Sequence, residues 1–170
     1  MKNVLLIVLP YAKKETHINP SSQYRGWLAM PYGALSIATY CKDVANIKLI
    51  DCNTDEYYLD TIDYEMQERE IDIVGISMTF DDSYVYLRDV LTIIRKYPST
   101  LRVIGGASTL SSYREILEDQ DIDAVCYGDG EVPFRGIIDG SDILSSPSWI
   151  TRESLSDGIV PRKTMIGNLD

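Results

Sequence analysis

The chain has 170 residues, 45% hydrophobic and 25% charged, which is enough for one domain with a substantial apolar core. Its formal net charge of −10 argues against binding to nucleic acid, because phosphate backbones are bound by basic stripes. The first apolar run, residues 4–9, is too short to span a membrane and lacks the flanks of a signal peptide. The three cysteines have neither metal-site nor disulfide spacing, so we expect a cytoplasmic protein.

Strand-like and helix-like patterns alternate along the chain. Uninterrupted aliphatic runs predict five buried strands, at residues 3–9, 47–51, 72–77, 101–104 and 124–127. Apolar stripes at helical spacing and capping residues predict helices that start near Pro31, Thr54, Ser83, Ser112 and Val132. Residues 11–30 form a polar loop that is long enough to suggest a function. Beyond residue 147, two short apolar runs flank Ser-Asp-Gly at residues 156–158, which predicts a β-hairpin.

This alternation predicts an α/β fold with a doubly wound, five-stranded parallel sheet in the flavodoxin-like order 2-1-3-4-5 and a C-terminal hairpin extension. Residues 1–146 would form a Rossmann-type domain, and residues 147–170 the hairpin and the start of a linker. Because βαβ crossovers are right-handed, all strand-to-helix loops should lie on one edge of the sheet. A ligand is expected at that edge.

Two of the predicted strands end in glycines at this edge. Gly105 and Gly106 follow the fourth strand, and Gly128 and Gly130 follow the fifth. Glycine has no Cβ, so a ligand can approach the backbone closely there. The first loop begins Pro-Tyr-Ala-Lys at residues 10–13, which excludes the glycine-rich turn of dinucleotide, S-adenosylmethionine and P-loop sites and the hydroxyl-rich loop of flavodoxins.

Four segments together resemble one family. They are PYGALSIA at residues 31–38, DIVGIS at residues 72–77, the Gly105-Gly106 pair, and YGDGE at residues 127–131. In this order they resemble the N-terminal cobalamin-binding domain of cobalamin-dependent radical S-adenosylmethionine (SAM) enzymes. The resemblance covers nearly the whole chain, and residues 167–170 are similar to the start of the linker that precedes the radical SAM domain.

The resemblance implies a cobalamin held at the glycine-rich edge. Glycines would let the nucleotide tail pass between sheet and helices, and hydroxyl groups would bind its ribose, phosphate and amides. The cofactor-binding residues expected on this basis are Ser77, Thr79, Gly105, Gly106, Ser108, Thr109, Gly128, Gly130 and Glu131. Tyr11, Tyr24 and Trp27 would cover the lower corrin face.

The same resemblance implies base-off cobalamin without a histidine ligand. The more distant methionine-synthase-type domains ligate cobalt through the histidine of Asp-x-His-x-x-Gly. Here the segment around His17 is only a near match, and we expect this histidine to be solvated.

No catalytic or metal-binding group of residues is recognisable in the sequence. In the resembled family, a three-cysteine loop in the next domain carries the 4Fe-4S cluster and binds SAM, and Cys41, Cys52 and Cys126 do not have its spacing. The expected function is therefore that of a cobalamin-binding domain of a radical SAM enzyme, a methyltransferase or a related enzyme, inactive by itself. Its partner would be a radical SAM barrel in cis or in trans, acting on a small-molecule or peptide substrate.

Two alternatives remain open. Family members carry proline and histidine where this chain has Ala107 and Ser108, and glutamate where it has Asp129. The chain is alternatively a vestigial family domain that binds no cobalamin and serves substrate docking or domain packing. A less favoured alternative is a flavodoxin-like signalling module, phosphorylated at Asp81 or Asp82.

Overall fold

A computed structural model describes residues 1–11, 30–158 and 162. Its centre is a six-stranded sheet in the order β2-β1-β3-β4-β5-β6. The first five strands are parallel, and β6 pairs antiparallel with β5. The strands are β1 (Lys2–Val8), β2 (Ala45–Asp51), β3 (Ile73–Ser77), β4 (Leu101–Gly105), β5 (Ala124–Cys126) and β6 (Trp149–Ile150).

Helices follow each of the first five strands, and a short one follows the sixth. They are α1 (Tyr32–Cys41), α2 (Tyr58–Glu68), α3 (Tyr84–Ile94), α4 (Thr109–Asp119), α5 (Glu131–Ile138) and α6 (Arg152–Ser156). The α/β class and the order 2-1-3-4-5 of the parallel strands are confirmed, with one strand more than expected. No helix of the described residues is long and apolar enough to cross a membrane.

The sheet separates two apolar cores, as expected for a doubly wound fold. On one face, α2, α3 and α4 bury residues such as Ile62, Leu91 and Ile116. On the other face, α1 and α5 bury Cys41 and Phe134 against the sheet. Residues 4–9 are buried throughout, which explains why this segment has no polar alternation.

The prediction of a C-terminal hairpin is wrong for the segment expected to form its first strand and its turn. Only Trp149 and Ile150 are extended, and the chain then turns into α6. The reason is a capping box: Ser154 N donates to Thr151 Oγ1 at 3.1 Å, and Thr151 N donates to Ser154 Oγ at 2.8 Å. Residues 159–161, which include the expected second arm, and residues 163–170, expected to begin the linker, lie outside the described residues.

Helix α4 begins three residues earlier than the sequence predicts. The expected capping box at Ser112 lies inside the helix, which starts at Thr109. The Thr109 backbone N–H and hydroxyl both donate to Gly106 O, at 3.2 and 2.8 Å. The tight turn at Gly106 therefore sets the start of α4, and it places that start beside the carboxyl edge of β4.

Candidate functional site

A cavity of about 180 Å³ lies between the sheet and helices α1 and α5, near the carboxyl edge. Its floor comes from three neighbouring strands, where Leu6 of β1, Gly75 of β3 and Val103 of β4 stand side by side in register. Helix α1 contributes Ala34 and Ile37 to the walls. The other wall residues include Cys126, Phe134 and Trp149.

Gly75 creates room at the centre of this floor. A Cβ at this position would lie 2.7 Å from Leu6 Cδ2 and 2.8 Å from Phe134 Cε2, closer than van der Waals contact permits. Glycine inside a strand weakens the strand, and it commonly marks a place where another group approaches the backbone closely. Here that group is the Phe134 ring, and the cavity opens beside it.

Glycines also form the rim of the cavity. Gly106 has φ +122°, and a Cβ there would overlap the carbonyl oxygen of Met78. Gly128 has φ +112°, also a backbone conformation that favours glycine. A Cβ on Gly130 would lie 2.8 Å from Ile37 Cδ1. At these glycines the rim consists of backbone, which a ligand can approach more closely than it could a residue with a Cβ.

Two carboxylates lie at the mouth of the cavity. Glu131 begins α5, and its Oε1 accepts a 2.5 Å hydrogen bond from Ser36 Oγ on α1. Asp129 lies two residues before it and also lines the cavity. The bond between Ser36 and Glu131 joins the two helices that cover the cavity, and it fixes the orientation of the glutamate.

The polar atoms farther inside are neutral or already bonded. Burial, with Glu131 and Asp129 nearby, raises the pKa of the Cys126 thiol to about 12, so this thiol stays protonated at neutral pH. The indole Nε1 of Trp149 donates to Pro133 O at 3.2 Å. Among the residues that the structure describes, those that line the interior are therefore mostly apolar and carry no charge.

The structure brings six of the nine expected cofactor-binding residues to this one cavity. They are Ser77, Gly105, Gly106, Gly128, Gly130 and Glu131. The other three, Thr79, Ser108 and Thr109, do not line it. The role of all nine as cofactor ligands stays a prediction.

Two of these three hydroxyls, those of Ser108 and Thr109, make hydrogen bonds within the neighbouring loops. Ser108 Oγ donates to Asp81 Oδ1 at 2.6 Å and lies 3.3 Å from Thr79 O. Together with the bond from Thr109 to Gly106, these contacts hold the β3–α3 and β4–α4 loops in place.

The residues that give the cavity its shape are not among those predicted from the sequence as site residues. Gly75 is the one with a recognisable signal, because an interior strand glycine often marks a close approach. Nothing in the sequence marks four apolar wall residues as part of a site, because apolar residues on helices and strands ordinarily belong to the core. They are Ala34, Ile37, Phe134 and Trp149. Tyr11 lies outside the cavity lining, with its ring packed edge-on against Phe80 at a centroid distance of 5.2 Å. His17, Tyr24 and Trp27 lie outside the described residues.

No group of three or more histidine, cysteine, aspartate or glutamate side chains in the described ranges has a geometry that would hold a metal ion.

A family model described as the B12 binding domain matches residues 26–138. The chain belongs to the B12-binding domain family. The cobalamin-binding part of the resemblance drawn from the four sequence motifs is thereby confirmed.

Known relatives of this B12-binding domain are much longer proteins. The anaerobic magnesium-protoporphyrin IX monomethyl ester cyclase of Cereibacter sphaeroides is 29% identical over 106 residues, which are 62% of this chain and 17% of the relative. The chain thus spans less than a fifth of the length of that curated relative.

Solved structures show the same fold in a radical SAM enzyme. The radical SAM methyltransferase TsrM from Kitasatospora setae, with tryptophan substrate and a SAM analogue bound, matches with a TM-score of 0.71 and 19% identity. TsrM with cobalamin and a [4Fe-4S] cluster bound matches with a TM-score of 0.68 and 19% identity. Each match covers 89% of this chain and 28% or 29% of TsrM.

The cavity fits one part of a cobalamin. An apolar cavity of about 150 Å³ is enough to hold benzene, so a cavity of about 180 Å³ can accept a small aromatic ring system. It is too small for a corrin, which would have to lie outside it. Apolar walls suit the heterocycle of the nucleotide tail, and the glycine rim leaves room for the tail to enter.

Proposed function

We propose that this B12-binding domain binds cobalamin in the base-off state, with the heterocycle of the nucleotide tail in the cavity between the sheet, α1 and α5. The observation that carries the proposal is the apolar cavity under a rim of glycines. The residues that line the cavity would hold the nucleotide base there, so the base would not be available to cobalt. The protein would supply no histidine in its place.

The chemistry of the rim supports this orientation. Ser77, at the end of β3, offers a hydroxyl at the cavity, and Glu131 offers a carboxylate held by Ser36. A hydroxyl can donate or accept and a carboxylate accepts, which suits the ribose hydroxyls and side-chain amides of the cofactor. The uncharged interior would exclude water from around the heterocycle.

We further propose that the domain acts together with a radical SAM domain, in cis or in trans, as part of a methyltransferase or related enzyme. The length of the relatives supports this, because the chain corresponds to less than a third of each. Cobalamin would supply a redox-active cobalt centre. The 4Fe-4S cluster and SAM would belong to the partner domain, and this chain alone would have no catalytic activity.

Titration of the 170-residue chain with hydroxocobalamin tests the proposal. We expect a change in the visible spectrum that saturates at one equivalent, and corrin that co-elutes with the protein on gel filtration. Unchanged spectra together with complete separation of corrin from protein would contradict cobalamin binding.

One observation favours the vestigial alternative. Ser108 stands where family members carry histidine, and its hydroxyl is bonded to Asp81 and does not line the cavity. If the domain serves only for packing or substrate docking, it will bind a radical SAM domain or its substrate and retain no corrin in the same titration.

A further inference from the structure

We infer that two copies of this chain associate through the outer face of α1, in a two-fold dimer in which the two α1 helices run antiparallel. The outer face consists of Tyr32, Leu35, Ser36 and Thr39, on the side of the helix that points away from the sheet. None of these four residues lines the cavity. The inference therefore goes beyond the proposed function and does not depend on cobalamin binding.

The composition of α1 is unusual for a helix that is open to solvent on one side. Tyr32 is 75% exposed and Leu35 is 38% exposed, and Ala34 and Cys41 are the only buried residues among its ten. Of the six α-helices of the described residues, α1 alone has no charged side chain, whereas each of the others has at least two. Few charges and many tyrosines are typical of the centre of a protein interface.

Helical spacing places the exposed residues in one stripe. Tyr32, Leu35 and Thr39 follow one another at intervals of three and four residues, so they lie on one side of α1. Ala34 and Cys41 lie on the opposite side and are buried. The stripe is therefore the part of α1 that the rest of the described chain leaves uncovered.

Two of the three hydroxyl groups on this face already have partners within the chain. Thr39 Oγ1 donates to Leu35 O at 2.8 Å. Ser36 Oγ donates to Glu131 Oε1 at 2.5 Å. The Tyr32 hydroxyl is at the end of a long side chain in the first turn and can stay in water at the rim of a contact. Covering the face therefore does not bury an unpaired polar group, which would cost free energy.

The charge of the chain favours a second copy as the occupant of this face. Each copy has a net charge of −10, so two copies repel one another. Near the axis of a two-fold contact a residue faces the same part of the other copy, so a charge there would lie close to a charge of its own sign. The repulsion is smallest at the uncharged face of α1. A partner of different sequence could instead use opposite charges against any of the other five helices.

The stripe is also complementary to itself in shape. With the two-fold axis between Leu35 and Ser36, Tyr32 meets the partner's Thr39. Leu35 then meets the partner's Ser36, so a large side chain lies against a small one in each contact. Since α1 has ten residues and is about 15 Å long, the contact is at the small end of protein interfaces, and we expect weak, reversible association.

Sedimentation velocity on the complete 170-residue chain tests the association. Over a roughly hundredfold range of protein concentration, the average mass should rise from 19.2 kDa toward twice that value, because dimerisation follows mass action. A mass of 19.2 kDa at every concentration would overturn the inference and would leave the face to a partner of different sequence.

Matched arginine variants locate the contact. Leu35→Arg and Thr39→Arg each bring two like charges together near the axis and should abolish the dimer, although each lowers the net negative charge of the chain. Val85→Arg makes the same change at a 46% exposed residue of α3, on the opposite face of the sheet, and should leave the dimer unchanged. Persistence of the dimer in folded Thr39→Arg protein would overturn the assignment to α1, whether or not the Leu35 variant folds.

Disulfide cross-linking tests the antiparallel arrangement. In a chain with both Tyr32→Cys and Thr39→Cys, oxidised glutathione should produce a covalent dimer. In either single variant the two new thiols would be about 10 Å apart along the helices, beyond the reach of a disulfide. The three native cysteines are buried and should not contribute. Cross-linking of a single variant as fast as that of the double variant would overturn the arrangement.

Discussion

At the level of single residues, glycine is required at two positions of the cavity for different structural reasons. Gly106 is required by its backbone, because φ +122° and the nearby Met78 carbonyl exclude any Cβ. Gly75 is required by its surroundings, because Leu6 and Phe134 occupy the space that a Cβ would need. The first controls the turn at the rim, and the second controls the volume inside.

Gly75→Ala should weaken hydroxocobalamin binding in a chain that still folds. The atoms nearest to the new methyl group are the ends of the Leu6 and Phe134 side chains, which can shift toward the cavity. Overpacking of this kind costs about 1–3 kcal/mol of folding stability. Urea unfolding measures the stability loss, and the spectral titration measures the loss of affinity.

Gly136→Ala serves as the control for this variant. Gly136 lies in α5, one helical turn or less from Phe134, and a Cβ there would meet only Ser141 atoms at 3.8 Å. Replacing glycine by alanine reduces the conformational entropy of the unfolded chain. We therefore expect the free energy of unfolding to rise by about 0.4–1 kcal/mol and the affinity for hydroxocobalamin to stay unchanged. If Gly75→Ala binds hydroxocobalamin as tightly as Gly136→Ala, the cavity does not hold the cofactor.

At the level of elements, α1 and α5 are joined at both ends of their contact. Ser36 and Glu131 meet near the cavity at 2.5 Å. Farther along, Arg135 on α5 donates to both carboxylate oxygens of Asp43 at 2.7 and 2.8 Å, just beyond the end of α1. Arg135 also donates to Tyr40 O at 2.9 Å. These contacts hold the two helices that enclose the cavity.

The Arg135 guanidinium lowers the pKa of Asp43, chiefly through its hydrogen bonds. Because the pKa in the folded chain lies below that in the unfolded chain, this pair stabilises the fold above the ordinary carboxyl range. The contribution is lost as the pH falls through the lowered value. Arg135→Gln should therefore raise the pKa of Asp43 toward its ordinary value, as followed by NMR titration of the side-chain carboxyl carbon.

Arg114→Gln is the control for this titration. It removes the same charge from α4, where the Arg114 guanidinium lies over the ring of Tyr113. We expect it to leave the titration of Asp43 unchanged. An identical pKa for Asp43 in both variants would show that the Arg135 contact does not persist in solution.

At the level of the whole molecule, ligand binding should be visible as thermal stability. A ligand that binds only the folded state at about one hundred times its dissociation constant adds roughly 2.7 kcal/mol. For a chain of this size, each kcal/mol raises the Tm by about 2–4 °C. We expect hydroxocobalamin to raise the Tm by several degrees in a calorimetric scan.

The Gly75→Ala variant provides the comparison for this experiment. At the same hydroxocobalamin concentration its Tm should rise less than that of the unaltered chain, because its cavity is narrower. Equal increases would indicate that the corrinoid binds elsewhere on the surface, and no increase for either protein at saturating concentration would contradict binding to the folded state.

The sequence alone was sufficient to identify the buried strands and the glycine-rich edge. A strand buried on both faces is apolar throughout, as residues 4–9 are, and glycine at a strand end leaves the backbone accessible, as at Gly105 and Gly128. Both properties are local, so they can be recognised without knowledge of the partners. The resemblance of the four motifs likewise depends only on residues and their order.

Only the tertiary structure decided how the cavity is built and which hydroxyls face it. Leu6, Gly75 and Phe134 are far apart in the chain and meet only through the register of the strands and the packing of α5. Ser108 belongs to the correct edge, but a hydrogen bond to Asp81 on the neighbouring loop determines where its hydroxyl points. Contacts of this kind depend on the relative placement of separate elements, which no short stretch of sequence contains.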